Sequence, residues 1–133
     1  MKLTSSAVIL VLLLLAGCGG SDSGFTEDYN RAVKPLSQLE QGMGTKAGEF
    51  DQLADRTEET RANLAKLDPP DDAKEEFQAL LKELDRVTKD LNAVASATRS
   101  KDVAAQRKAA EDLVKSSTEV QQAESQLKQA VEG

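Results

Sequence analysis

Leu64-Ala65-Lys66-Leu67-Asp68-Pro69-Pro70-Asp71-Asp72-Ala73-Lys74-Glu75-Glu76-Phe77-Gln78-Ala79-Leu80-Leu81-Lys82-Glu83-Leu84 is the stretch that decides the fold. Proline fixes its own φ and disfavours the α conformation in the residue before it, so Pro69 and Pro70 interrupt helix at Asp68 and Pro69. Directly after them, Asp72-Ala73-Lys74-Glu75 has the spacing of a capping box with Asp in the Ser/Thr place. From there Phe77, Leu80, Leu81, Leu84, Val87, Leu91, Val94 and Ala95 recur every three or four residues, the spacing of one helix face. Before the prolines, Phe50, Leu53, Ala54, Thr57, Leu64 and Leu67 follow the same period and stop at Asp68. The Pro pair is therefore a turn between two helices.

Nearer the amino terminus, Phe25, Tyr29, Val33, Leu36, Leu39 and Met43 form another stripe. Pro35 crosses it, which predicts a kink or the first turn of a shorter helix. Gly42, Gly44 and Gly48 then break the pattern, and Thr45 is placed to cap the next helix. Beyond the third helix, Ser100 or Asp102 is placed to cap a fourth that carries Val103, Ala110, Leu113, Val114, Val120, Leu127 and Val131. Gln106, Ser117 and Glu124 fall on its seam, which predicts looser packing in its outer half. The last two helices are each nearly thirty residues, roughly 40–45 Å long, and a short turn between them favours an antiparallel pair. No segment after residue 17 has the alternation of a strand. The expected fold class is all-α: an antiparallel helical bundle of three to four helices with a long C-terminal helical hairpin.

The first residues have a different pattern. Lys2 is the only charge among the first 21, and Ala7 to Ala16 is an unbroken apolar run of ten residues. That length suits the core of a secretory signal and is about half what a bilayer-spanning helix requires. Leu15-Ala16-Gly17-Cys18 resembles the lipobox of bacterial lipoproteins, an aliphatic residue and two small ones before a cysteine. The resemblance implies cleavage between Gly17 and Cys18, diacylglycerol on the Cys18 thiol, and a further acyl group such as palmitate on the new amino terminus. It implies lipid anchoring on the extracytoplasmic side of a bacterial cell membrane, where two or three acyl chains hold stably and one holds only marginally. Gly19 to Gly24, rich in Gly and Ser, reads as a tether. The expected organisation is a leader over 1–17, the lipidated Cys18 with its tether over 18–24, and a helical bundle over 25–133. The pattern Leu64-x-x-Leu67-Asp68-Pro69-Pro70, followed by Phe77, Leu80, Leu81 and Leu84, also resembles small helical lipoproteins of actinobacteria, over about residues 64–105. That resemblance implies a helical envelope domain and brings no catalytic residues with it.

Composition narrows the chemistry. Removing the leader takes the chain from 133 residues to 116, its basic side chains from 17 to 16 against 23 acidic ones, and its formal net charge from −6 to −7. That sign argues against nucleic acid and against electrostatic binding to anionic lipid heads. Cys18 is the only cysteine, so no disulfide within the chain is available, and packing alone must hold the domain. There is no His, the commonest general base and metal ligand. Ser37, Ser96, Ser116 and Ser117 lie in helical stretches without a glycine-flanked elbow, and Gly42-Met43-Gly44 is too short for a phosphate-cradling loop. Asp68, Asp71, Asp72, Glu75 and Glu76 could offer oxygens to a hard cation. Their spacing does not fit a twelve-residue calcium loop, and a favourable charge at a helix start accounts for them. No catalytic residue, cofactor or metal ligand is therefore expected.

The expectation is a non-catalytic protein that acts by contact with another envelope component, through the exposed edge of the third and fourth helices. Two alternatives stand beside it. One is a ligand-binding or chaperone-like module whose fourth helix opens an apolar groove. The other is a self-associating coiled coil, with Gln106 and Ser117 between copies.

Overall fold

Helix stops at the Pro pair and resumes after it. The structure, a computed structural model, describes residues 23–39 and 46–133. Its helices are α1 (Ser23–Leu39), α2 (Ala47–Leu64), α3 (Lys74–Ser100) and α4 (Val103–Glu132), with a 3-10 turn at Asp71–Ala73 leading into α3. No strand occurs among the described residues. This is the all-α bundle expected, with α3 and α4 as its long hairpin.

Side-chain contacts give the directions of the helices. The Arg86 guanidinium meets the Glu119 carboxylate at 2.5 Å, and the Gln106 side-chain amide donates to the Ala97 carbonyl at 3.2 Å, so α4 runs back along α3. The start of α2 meets the end of α3 through an Asp51–Arg99 ion pair, so α2 runs opposite to α3. Phe25, in the first turn of α1, packs edge-on against Phe77 in the first turn of α3, with ring centroids 5.5 Å apart. The helices therefore alternate in direction. The start of α1, the Pro turn and the end of α4 share one end of the bundle, and the α3–α4 turn lies at the other. Between them lies a core whose fully buried members include Tyr29, Leu36, Leu64, Phe77, Leu80, Leu84, Leu91, Val120 and Leu127. Each such side chain contributes roughly 1.5–3 kcal/mol relative to exposure.

Several local features differ from the sequence expectation. α1 begins at Ser23, so Ser23 and Gly24, read as tether, form its first turn. It also runs through Pro35, whose side chain is exposed. The Arg31 carbonyl that Pro35 cannot bond therefore sits on a solvent-facing stretch, where water can satisfy it. Gly42, Met43, Gly44 and Thr45 lie outside the described residues. Gly48 does not break α2 but sits in its first turn, where the Glu49 carboxylate accepts the Lys46 backbone N–H at 2.9 Å.

Asp72 does not cap α3. The Pro70 carbonyl accepts the Ala73 N–H at 2.9 Å and the Asp71 carbonyl accepts that of Lys74, closing a 3-10 turn ahead of the helix. Ala73 is buried and takes the cap position, and Asp72 stays exposed. At the other end of α3, Lys101 adopts the left-handed conformation with φ 57°. Of the two expected caps, Asp102 serves: its carboxylate accepts the Ala105 N–H at 3.0 Å.

The phase of α4 differs most. Val103 is 68 % exposed, Val114 47 %, and Ala110 is exposed, whereas Ala109, Leu113, Ser116, Ser117, Val120, Ala123, Glu124 and Leu127 face inward. Small side chains on that face let the α4 backbone lie close along α3, and the packed distance to the partner helix fixes the phase more than apolar content does. The helix continues to Glu132.

Candidate functional site

Cys18 and the residues before it lie outside the described residues. Among the described residues, no helix is long and apolar enough to cross a membrane. The bundle itself holds one constellation of polar side chains in its interior, and it joins the first helix to the last.

Tyr29 lies on the apolar stripe of α1 between Phe25 and Val33 and is fully buried. Its hydroxyl donates to a Glu124 carboxylate oxygen at 3.2 Å. Glu124 is 1 % exposed, on the inward face of α4 one turn after Val120 and three residues before Leu127. Burial, reinforced by the charge and hydrogen bond of Glu124, pushes the Tyr29 hydroxyl above its ordinary value of 10.0, so the phenol stays protonated and donates. The Phe25 ring lies 6.2 Å from that of Tyr29 and 5.5 Å from that of Phe77, which closes an aromatic wall beside the pair. Two turns along α4, the Ser117 Oγ is also buried and has no hydrogen-bond partner. Its neighbour Ser116 donates back to the Leu113 carbonyl at 3.2 Å.

Neither half of this pair stood out as a site in the sequence. Glu124 was legible as a polar residue on an apolar seam, and Tyr29 as part of an apolar stripe. The missing signal was their meeting, because 95 residues separate them. A carboxylate at a core position and a lone tyrosine on another stripe are nevertheless complementary, since each requires a buried partner.

The acidic residues at the Pro turn are not gathered into a pocket. Asp71 pairs with the Lys74 ammonium at 2.5 Å, which holds its carboxyl below the usual carboxylate range. No group of three or more metal-ligating side chains comes together among the described residues. Asp85 and Lys89, four residues apart on α3, pair at 2.8 Å and support the helix. The seam residues put forward for contact between copies face the bundle: Ser117 is buried, and half-buried Gln106 is engaged with Ala97 of α3. The exposed apolar side chains of the α3–α4 edge are instead Val103 and Val114. No known family model, curated protein or solved structure matches this chain.

Proposed function

We propose that this is a lipid-anchored, non-catalytic protein of the bacterial cell envelope, held by acyl chains on Cys18 and acting by contact with another envelope component. One observation supports it most directly: α1 begins at Ser23, so residues 19–22 are all that separate Cys18 from the bundle. The five steps from Cys18 to Ser23 reach at most about 17–18 Å. An anchor there holds the end of the bundle that carries the start of α1, the Pro turn and the end of α4. That end includes Glu27, Asp28, Asp68, Asp71 and Asp72, all exposed. An acidic base is repelled by anionic headgroups, so retention falls to the acyl chains. The opposite end presents the α3–α4 turn, with Lys101 and exposed Val103, some 40 Å from the anchored end by the length of α3. The contact surface in this reading is that turn and the adjoining edge towards Val114.

Crosslinking in intact source cells, with mass spectrometry of what is captured, compares wild type with Cys18→Ala. A specific envelope protein captured by wild type and lost in the variant supports the proposal. Equal capture by both, or an unprocessed wild-type chain without acyl groups, overturns it.

A further inference from the structure

We propose that two copies of this chain pair antiparallel along the first turns of α4, with Val103 of each on Val114 of the other and Arg107 of each beside Glu111 of the other. Val103, Ala110, Ser117 and Glu124 recur every seven residues and so run along one side of α4. Ser117 and Glu124 are buried, whereas Val103 and Ala110 are exposed, and Val114 beside them is 47 % exposed. The length of α1 accounts for the change. Tyr29 meets Glu124 and the two helices run in opposite directions, so Leu39, the last residue of α1, is level with about residue 114 of α4. The side of α4 that α1 covers lower down continues past the end of that helix and is apolar there.

Charge selects the occupant. The chain has a formal net charge of −6, so most of its surface repels a second copy. Residues 101–115 differ, with Lys101, Arg107, Lys108 and Lys115 against Asp102, Glu111 and Asp112, a net charge of +1. Asp102 caps α4, and Lys108 pairs with Asp112 at 3.0 Å. Arg107 and Glu111 flank the apolar stripe, both exposed, and neither forms an ion pair among the described residues. With Val103 on Val114 of the second copy, Arg107 comes within one residue of the level of that copy's Glu111, and two-fold symmetry makes the pairing twice. Ala110 then lies opposite the stem of Arg107, a small side chain against a long one. A parallel pair would instead set Arg107 against Arg107 and Glu111 against Glu111. About three turns of helix bury less than the roughly 800 Å² a side of a standard stable interface, so the pair is weak and reversible. The inference rests on the contact surface assigned above and names its occupant; it does not depend on the acyl anchor.

Disulfide trapping in intact source cells tests it, with wild type, whose only cysteine is Cys18, as the control. A tagged Val103→Cys chain and a differently tagged Val114→Cys chain are expressed together, treated with a mild oxidant, and the bridged positions mapped by mass spectrometry. The mixed disulfide is expected at least about tenfold above what either variant gives alone, because two copies of position 103 lie roughly 16 Å apart in this register, beyond a disulfide's reach. Arg107→Glu in both chains is expected to cut the mixed disulfide at least about fivefold. Arg107→Glu in one chain with Glu111→Arg in the other is expected to restore it, since both cross-chain pairs are then opposite in sign. No mixed disulfide above the control overturns the proposal. So does an equal yield from Val103→Cys alone, which marks a parallel pair, or a yield that Arg107→Glu leaves unchanged. A different envelope protein trapped at both positions, without the mixed disulfide, overturns the second copy and leaves the contact surface standing.

Discussion

Tyr29→Phe removes the hydroxyl that Glu124 accepts from while leaving the ring in place. Losing a buried hydrogen bond to this carboxylate costs about 1–3 kcal/mol, and chemical denaturation at neutral pH is expected to show that loss. The sign changes with alkali. The Tyr29 hydroxyl is raised above 10.0 in the folded protein, so its contribution is fully present below pH 10 and is lost as pH rises beyond it. Wild type should therefore lose stability above pH 10 faster than Tyr29→Phe, narrowing the gap between them; parallel curves would count against the buried phenol. At this scale the sequence was informative about burial and silent about partnership. The stripe of α1 read correctly at Phe25, Tyr29, Val33 and Leu36, and that of α3 from Phe77 to Ala95. Glu124 could be seen on a seam, but only tertiary packing brings α1 against α4.

Helix boundaries depend on a few backbone groups, and the α3–α4 turn shows two of them side by side. Lys101 is left-handed, a conformation that costs a residue with a Cβ about 1–2 kcal/mol. Lys101→Gly is expected to raise the midpoint of thermal unfolding, by about 1 kcal/mol in stability, because relief of that strain exceeds the extra freedom of the unfolded chain. Asp102→Ala removes the carboxylate that caps α4 and should lower stability by about 0.5–2 kcal/mol in the same measurement. The cap was legible because Asp at a helix start has a local chemical purpose. The phase of α4 was less so: its inward face uses Ala, Ser and Glu as much as Leu and Val, and Val103 and Val114 then mislead a count of apolar positions. Asp72 failed as a cap because the Pro70 and Asp71 carbonyls accept the Ala73 and Lys74 N–H groups in a 3-10 turn, which moves the cap position of α3 on to Ala73.

Among the described residues four helices alternate in direction, and with one cysteine in the chain stability comes from their packing without a disulfide within it. Cys18→Ala should therefore melt with the same midpoint as the wild-type chain in the same detergent, and under the proposed anchoring it should no longer fractionate with the membrane or take label from a palmitate analogue. A large drop in melting temperature would mean that the anchor also braces the bundle. The number and order of helices were readable from punctuation and period, which are local. Which ends meet was not, because that depends on side chains such as Phe25, Phe77, Arg99 and Asp51, whose contacts span the fold. One of those long-range contacts also has an optical consequence. The chain has one Tyr and no Trp, so nearly all its near-ultraviolet absorption and emission comes from the phenol of Tyr29. A tyrosine bonded to a carboxylate is dimmer and absorbs at longer wavelength than one in water. The protein thus carries a built-in chromophore at the meeting of its first and last helices, and its colour reports their separation without any added label.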